Sequence, residues 1–273
     1  MKLWCLVDNC VRPQGDLWGE HGASYLIESG GMRALFDTGS SGTVLLHNLR
    51  ALEIAPGTLT ALVLSHAHLD HTGGVAALAA WQQGIALFAH PEIFRPRFRK
   101  GEDGYKQVGL QWPAARLGEW FHPHLSAEPV EAIPNVWTTG EIRQREAPEG
   151  RSPRHYVQTP AGYIPDPYQD DLSLVLQTEK GLVLLCGCCH AGLVNTLRHV
   201  QSAFEGPLLG VVGGTHLMDA DAEQLRQVVE LLMAMSVPRL WLNHCTGHKA
   251  LAELARAFGE RVQPCPAGTV LEL

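Results

Sequence analysis

The segment Ser65-His66-Ala67-His68-Leu69-Asp70-His71-Thr72-Gly73-Gly74 brings three imidazoles and one carboxylate into positions 66–71. It directly follows the apolar run Ala61–Leu64, which has the composition of a buried strand. A strand that ends in such a loop carries all four side chains to one edge of a sheet. His and Asp suit Zn²⁺, Mn²⁺ or Fe. The segment therefore predicts a site for one or two divalent metal ions, with Zn²⁺ favoured and Mn²⁺ or Fe as alternatives.

Length and composition exclude several other classes of protein. The chain has 273 residues, of which 45% are hydrophobic and 18% charged, enough for one large α/β domain with a sizeable core. A net charge of −7 argues against binding nucleic acid through bulk charge. No apolar run approaches the ~20 residues of a membrane span. The apolar run within the opening segment MKLWCLVDNC is too short for a secretory signal. Seven Cys, with Cys186, Cys188 and Cys189 crowded together, do not resemble a disulfide framework. We expect a cytoplasmic protein with neither nucleic-acid nor membrane partners, and its oligomeric state stays open.

Apolar runs and helical spacing alternate in both halves of the chain, so we predict a single domain over residues 1–273 built from two α/β halves. The predicted strands are Lys2–Val7, Ala23–Glu28, Arg33–Asp37, Ala61–Ser65, Ile85–Ala89, Ser173–Gln177, Leu182–Cys186, Leu208–Val212 and Leu240–Asn243. The predicted helices are Val44–Leu52, Val75–Trp81, Leu193–Phe204, Ala220–Met235 and Lys249–Phe258. Asp219 is the expected N-cap of the helix that begins at Ala220.

Residues 94–171 differ from both halves. They hold many of the 17 Pro and the basic cluster Arg95, Arg97, Arg99 and Lys100. Long irregular stretches in compact domains form lids or binding loops, so we interpret this one as a cap that faces the substrate; a surface insertion is the alternative. Alternating arginines on an extended segment point to one side, and we expect Arg95 and Arg97 to bind an anionic substrate, against the alternative of a solvated charge run. His21, next to Glu20, is expected at the mouth of the site.

The His-x-His-x-Asp-His loop resembles the hallmark of the metallo-β-lactamase superfamily. That resemblance implies a four-layer αβ/βα sandwich with the metal site between the sheet edges. Phe36-Asp37-Thr38-Gly39 is similar to the superfamily's first motif, which implies that the Asp37 carboxylate supports the metal loop without ligating. Asn243-His244-Cys245 is similar to the last ligand motif, which implies that His244 is a metal ligand.

A narrower resemblance rests on five further motifs. They are Asp8-Asn9, Glu20-His21-Gly22, Gly187-Cys188-Cys189-His190-Ala191-Gly192, Gly213-Gly214-Thr215-His216-Leu217 and His244-Cys245-Thr246-Gly247. Together they resemble the subgroup named for 7,8-dihydropterin-6-methyl-4-(β-D-ribofuranosyl)aminobenzene-5′-phosphate synthase. Because one fold hosts many reactions, these motifs indicate the subgroup and leave its named reaction as one alternative.

The sequence departs from the superfamily pattern at two ligand positions. The turn Thr138-Thr139-Gly140-Glu141-Ile142 lacks the usual His, and Gly187-Cys188 has a thiol in place of the bridging Asp. We expect His190 to supply the missing imidazole. Cys188 is either a thiolate ligand or a small buried apolar residue, and Glu141 is a weaker alternative ligand. One ion is thus predicted at His66, His68 and His190, and a second at Asp70, His71 and His244.

These ligands favour hydrolysis of a small anionic, phosphorylated ester. A bound metal lowers the pKa of a water ligand towards about 7. Asp70 would orient that water or share its proton, and the superfamily resemblance places His216 beside the leaving group, where it donates a proton or binds a phosphate oxygen. A helix-entry His that only bonds backbone is the alternative for His216.

Two other functions stay open. One is the subgroup's reaction, which joins a dihydropterin methyl group to a ribofuranosylaminobenzene phosphate while the metals assist departure of diphosphate. Trp112, Trp120 and Trp137 would then stack on the pterin. The other is a non-enzymatic metal or thiol module that uses the cluster Cys186–Cys189.

Overall fold

A computed structural model describes residues 1–13 and 15–273. The strands within these residues are β1 (Lys2–Val7), β2 (Ser24–Ser29), β3 (Met32–Phe36), β4 (Ala61–Val63), β5 (Ala86–Ala89), β6 (Arg97–Gly101), β7 (Gly104–Gln107), β8 (His122–Leu125), β9 (Glu131–Ile133), β10 (Val136–Thr138), β11 (His155–Thr159), β12 (Gly162–Pro165), β13 (Ser173–Thr178), β14 (Gly181–Cys186), β15 (Leu208–Gly213), β16 (Leu240–Leu242), β17 (Val262–Pro264) and β18 (Val270–Glu272). The helices are α1 (Gly42–Ala51), α2 (Leu69–Thr72), α3 (Val75–Trp81), α4 (Ala114–Trp120), α5 (Leu193–Ala203), α6 (Ala222–Ala234) and α7 (His248–Phe258). None of these helices combines the length and apolarity that crossing a membrane requires.

The strands form two seven-stranded sheets and one four-stranded sheet. The first sheet has the order β18-β1-β2-β3-β4-β5-β8, and the second has the order β17-β16-β15-β14-β13-β10-β9. Within them β3, β4, β5 and β8 run parallel, as do β14, β15, β16 and β17. Parallel neighbours bring their carboxyl ends to a common edge. The loops that follow β4, β14 and β16 carry the predicted ligands, and the loops that follow β3 and β15 carry Asp37 and His216.

Three buried clusters fill the spaces between layers. Phe36 of the first sheet and Leu174 of the second belong to a cluster between the two sheets. Leu45 of α1 belongs to a cluster on the outer face of the first sheet. Leu197 of α5 belongs to the corresponding cluster on the second sheet. The order is therefore helix, sheet, sheet, helix, which confirms the predicted four-layer αβ/βα sandwich.

Local predictions hold best where the apolar pattern is strongest. Strand β1 and helix α3 have the predicted bounds, and the other predicted elements agree to within a few residues. The predicted cap of α6 is wrong. Asp221, and not Asp219, accepts the hydrogen bond from Gln224 N at 2.8 Å, so the helix begins two residues later than its apolar spacing indicates.

The prediction that residues 94–171 form one cap needs correction. Strand β8 extends the first sheet, and β9 and β10 extend the second. The four-stranded sheet, in the order β12-β11-β6-β7, is the part of this segment that lies outside the two main sheets. We name it the small sheet. The interpretation of the chain as a single domain stays a prediction.

Arg97 joins the small sheet to the metal loop. Its Nε lies 2.8 Å from Asp166 Oδ2 and its Nη2 lies 2.6 Å from Asp170 Oδ1, with all three side chains buried. Asp170 Oδ2 in turn accepts a hydrogen bond from Ala67 N at 2.9 Å. The expectation that Arg97 binds substrate is therefore wrong, because its guanidinium is enclosed by two carboxylates.

Replacing Arg97 by Met is expected to reduce the free energy of unfolding by about 3–5 kcal/mol, since two buried carboxylates lose their cation. Arg99→Met is the control, because Arg99 lies on the same strand with an exposed side chain and should cost no more than about 0.5 kcal/mol. Urea denaturation of both variants measures the difference. Equal losses of stability would contradict this role for Arg97.

Candidate metal centre

Three imidazoles converge where β4 and β14 end. His66, His68 and His190 each offer a ring nitrogen, and these three atoms lie within 4.8 Å of one another. His66 Nε2 and His68 Nδ1 are 3.1 Å apart. Two nitrogens bound to one tetrahedral Zn²⁺ at its usual distance are separated by about 3.3 Å. The structure thus brings together the three residues predicted for the first ion.

A second set of ligands lies beside the first. His71 Nε2 is 3.2 Å from His244 Nε2 and 3.9 Å from Asp70 Oδ2, while His244 Nε2 is 3.4 Å from the same oxygen. Cys188 Sγ lies 3.1 Å from His71 Nε2. His66 and His244, which are far apart in the sequence, therefore belong to one cluster. The residues predicted for the second ion converge, and the thiol of Cys188 faces them.

The first set has the chemistry that a divalent cation requires. Burial lowers the pKa of His66, His68 and His190 well below the ordinary value, and the neighbouring imidazoles lower it further. Neutral imidazoles bind a metal without first losing a proton. His190 Nε2 is buried without a hydrogen-bond partner. Such unpaired buried nitrogens are costly unless a ligand pairs them, so these residues fit a resident metal ion.

At the second set of ligands, neighbouring charges outweigh burial in setting the pKa values. Burial lowers the pKa of His71, but the carboxylates of Asp37 and Asp70 outweigh it and raise that pKa to about 9. Burial raises the pKa of Asp70, but nearby His71, His21 and His244 hold it well below its ordinary value. Asp70 is thus an anion that compensates positive charge, as it would beside a cation.

Asp37 fixes the first metal loop in the way that the superfamily resemblance implies. Its Oδ1 accepts a hydrogen bond from Ser65 N at 2.7 Å, and its Oδ2 lies 2.7 Å from both Ser65 Oγ and His71 Nδ1. Bonding at Nδ1 directs His71 Nε2 towards the second set. Gly187 packs against this corner, where a Cβ would collide with Ser65 Oγ. The glycine allows the two metal-bearing loops to approach each other.

Two adjacent carboxylates hold the two loops from the opposite side. Asp170 Oδ2 accepts the Ala67 N–H, and Asp171 Oδ2 accepts the Ala191 N–H at 2.8 Å. Burial raises the pKa of Asp171 to about 6. One turn of chain therefore restrains the loop that carries His66 and His68 and the loop that carries His190. Neither residue was identified from the sequence.

Backbone strain is concentrated in the same place. Of the eight described non-glycine residues with positive φ, five lie in or beside the centre: Asp37 (60°), Tyr168 (48°), Cys189 (61°), His216 (45°) and His244 (49°). Each such conformation costs on the order of 1–3 kcal/mol and persists where surrounding contacts impose it. Contacts in the folded protein therefore hold these loops in locally unfavourable backbone conformations that place the side chains at the centre.

A cavity of about 360 Å³ opens over the ligands. Its lining includes His21, Asp70 and His216, all expected at the site, and also Arg99, Arg154 and His155. His216 packs against His190 with 4.3 Å between ring centroids, and burial lowers its pKa to about 4. The ring centroids of His155 and His68 are 4.6 Å apart. His155 and Arg154 belong to the small sheet and its approach, and no local spacing in the sequence could link them to the metal loop.

Several other expected residues lie elsewhere. Arg95 pairs with Glu92 at 2.7 Å and does not line the cavity. Glu141 lies near His90 and Arg143, and it belongs to none of the ligand groups among the described residues, so it is not a ligand here. Trp112 and Trp120 pack against the first-sheet core, and Trp137 packs against the second. Cys186 and Cys189 lie within the second-sheet core, which leaves Cys188 as the member of that trio facing the centre.

Comparisons with known proteins agree with this geometry. Residues 17–172 match the family model of the metallo-beta-lactamase superfamily. The chain is 31% identical over 286 residues to the 7,8-dihydropterin-6-methyl-4-(beta-D-ribofuranosyl)-aminobenzene-5′-phosphate synthase of Methanocaldococcus jannaschii, covering 100% of this chain and 96% of that protein. The crystal structure of a metal-dependent hydrolase of the beta-lactamase superfamily superposes with a TM-score of 0.86 at 27% identity, covering 100% and 99% of the two chains. Zn²⁺-bound PqqB from Methylobacterium extorquens shares the fold, with a TM-score of 0.63 at 12% identity over all of both chains.

Asp37→Asn is expected to weaken zinc binding by about 10–100-fold, because an amide orients His71 less well than a carboxylate does. Asp221→Asn is the matched control, since Asn also caps helices well and Asp221 is exposed. Competition with a zinc chelator measures both affinities. Unchanged zinc affinity in a folded Asp37→Asn variant would refute the supporting role.

Proposed function

The chain belongs to the metallo-β-lactamase superfamily, and we propose that it is a metal-dependent hydrolase of a small anionic, phosphorylated ester. The observation that carries this proposal is the pairing of the imidazole cluster with two arginines across one cavity. We propose Zn²⁺ as the resident ion, with Mn²⁺ or Fe as alternatives, because the first set of ligands is all imidazole. A cavity of about 360 Å³ suits a small molecule better than a polymer.

The two arginines supply the charge that an anionic group needs. Arg99 lies on β6, and Arg154 O accepts a hydrogen bond from Lys100 N at 2.8 Å, so both residues come from neighbouring chain segments. Among the described residues neither guanidinium has a carboxylate within ion-pair distance, whereas Arg95, Arg97 and Arg145 all do. A guanidinium fork matches the oxygens of a phosphate. The carboxylates of Asp70 and Asp219 line the same cavity, and their repulsion favours placing an anion at the arginines.

The chain's own residues supply the proton chemistry. A bound divalent cation lowers the pKa of a water molecule and stabilises negative charge on a phosphoryl oxygen. Asp70 stays ionised, so its carboxylate can orient the attacking water by accepting a hydrogen bond from it. His216 is neutral near pH 7, because burial and the neighbouring His155 and His244 hold its pKa at about 4. Its ring N–H then donates a hydrogen bond to a substrate oxygen.

Transfer to an acceptor other than water is the second candidate. The 31%-identical relative from Methanocaldococcus jannaschii is named a synthase, and its named product contains a ribofuranosyl 5′-phosphate. A phosphate of that kind would also suit Arg99 and Arg154. The tryptophans expected to stack on a pterin pack in the two cores, so another surface would have to bind the ring. The two candidates share the metal centre and differ in the acceptor.

The zinc-loaded chain is expected to cleave generic phosphodiester and diphosphate-ester substrates, and a chelator or His66→Ala should abolish turnover. His122→Ala is the control, because His122 is exposed on β8 and does not line the cavity. Turnover in isotopically labelled water identifies the acceptor, since hydrolysis places solvent oxygen in a product. Stoichiometric metal with no cleavage across the panel would reject the hydrolase, and cleavage only with an added arylamine acceptor would favour the transferase.

Arg99→Ala and Arg154→Ala are each expected to raise KM by about 10-fold or more, because one charge-assisted hydrogen bond contributes roughly 1.5–3 kcal/mol. The change in kcat should be smaller, since neither side chain is at the metal ligands. Arg143→Ala is the control, as Arg143 is exposed and paired with Glu128 outside the cavity. Steady-state kinetics on the best substrate of the panel provides the test. KM values equal to that of the control would exclude these arginines from substrate binding.

A further inference from the structure

A second cavity opens beside the first cavity, which is the one that covers the metal ligands. Its volume is about 310 Å³. The residues that line it and not the first cavity are Glu149, Gly150, Arg151, Pro153, Ala220 and Gln224. Arg154, His216 and Asp219 line both cavities, and we call these three residues the junction. A molecule that fills both cavities therefore passes the three side chains of the junction.

The wall of the second cavity is hydrogen-bonded to the metal centre. Gly150 N donates to His190 O at 3.0 Å, and His190 Nδ1 lies 2.7 Å from Gly150 O. A Cβ at position 150 would lie 2.7 Å from His216 Cβ, so the glycine lets this segment pack against His216. Gln224 Nε2 of α6 donates to Glu149 O at 2.9 Å and holds the same segment from the other side. The second cavity is therefore bounded by segments that hydrogen bonds already fix in place.

The charges that line the second cavity balance one another. Arg151 and Arg154 bring two positive charges, whereas Glu149 and Asp219 bring two negative charges. Arg151 Nε lies 2.8 Å from Glu149 Oε2, so this pair is already neutralised within the protein. Hydroxyl groups can donate hydrogen bonds to the Asp219 carboxylate and to the amide oxygen of Gln224. The lining therefore favours a neutral, hydroxyl-bearing group over a second phosphate.

We infer that the substrate is a phosphodiester with two arms, one in each cavity, and that the second cavity holds a neutral, hydroxyl-bearing arm. This inference rests on the proposed function for the phosphoryl group itself. The phosphoryl group would lie at the junction, where the Arg154 guanidinium donates charge-assisted hydrogen bonds and His216 lies beside the ester oxygen. A phosphomonoester would fill only one of the two cavities. A diphosphate ester would place its second phosphate among balanced charges.

Three phosphodiesters of equal charge that differ only in their arms test this arrangement: bis(glyceryl) phosphate, methyl glyceryl phosphate and dimethyl phosphate. Calorimetry on the zinc-loaded wild-type chain measures the dissociation constants, with KM used for a ligand that is cleaved. Bis(glyceryl) phosphate is expected to bind roughly 10-fold more tightly than methyl glyceryl phosphate, because the second glyceryl group forms hydrogen bonds of its own. Dimethyl phosphate gives the affinity of the phosphoryl group without either arm. Equal affinities for the first two ligands would show that one arm alone is held, and would overturn the inference.

Gln224→Trp is the matching change in the protein, because a bulky side chain at this position fills the second cavity. The variant is expected to lose roughly 10-fold in affinity for bis(glyceryl) phosphate and then to bind it no more tightly than methyl glyceryl phosphate. Gln227→Trp is the control, since Gln227 lies on the same helix, bonds to Glu223 and lines neither cavity. A folded Gln224→Trp variant that keeps the wild-type preference would also overturn the inference.

The outcomes distinguish this inference from the proposed function. Tighter binding of the two-armed ligand without cleavage of any ester would support the two-cavity site and reject the hydrolase. Cleavage of phosphodiesters with equal affinities for bis(glyceryl) phosphate and methyl glyceryl phosphate would support the hydrolase and overturn the second arm. The comparison of ligands on the wild-type chain needs no variant to fold.

Discussion

The close approach of two sheet edges is the constraint on which the metal centre depends. The loop after β4 and the loop after β14 meet at Gly187, where a side chain would displace Ser65 and crowd the Asp37 carboxylate. Both carboxylate oxygens of Asp37 form hydrogen bonds at this contact, with Ser65 and His71 as partners. A buried carboxylate is costly unless its oxygens are paired, so the three hydrogen bonds from these two residues stabilise it. This close contact lets the ligand loops from the two halves of the chain approach each other.

Buried ion pairs that involve the small sheet also hold the ligand loops in place. Arg97 neutralises Asp166 and Asp170, and Asp170 reaches the backbone of the metal loop at Ala67. Asp171, the next residue, binds the other loop at Ala191. The small sheet therefore does more than cover the cavity, since its buried ion pairs restrain the ligand loops.

The local sequence pattern predicts most strands and helices of this chain. It also identifies the loops that carry the candidate metal ligands. Apolar runs that end in His, Asp or Gly identify β4, β14 and β16 together with the side chains that follow them. The pattern fails where a role depends on distant partners. Arg97 and Arg99 look equivalent in sequence, yet one is enclosed by carboxylates and the other lines the cavity. The contacts of Arg97 with Asp166 and Asp170 decide which is which, and the contact with Asp170 spans 73 residues of sequence.

In this chain the metal ligands and several other cavity-lining residues come from different sheets. This division suggests how proteins of the superfamily come to differ in the reactions that they catalyse. In this chain the ligands come from the two large sheets, while Arg99, Arg154 and His155 come from the small sheet and its approach. Under the proposed function, changes at Arg99 or His155 would alter which anion binds without moving an imidazole, because neither side chain takes part in the contacts at Ala67 and Ala191. A protein of the same fold can therefore keep the metal ligands and still differ in substrate, because one fold hosts many reactions.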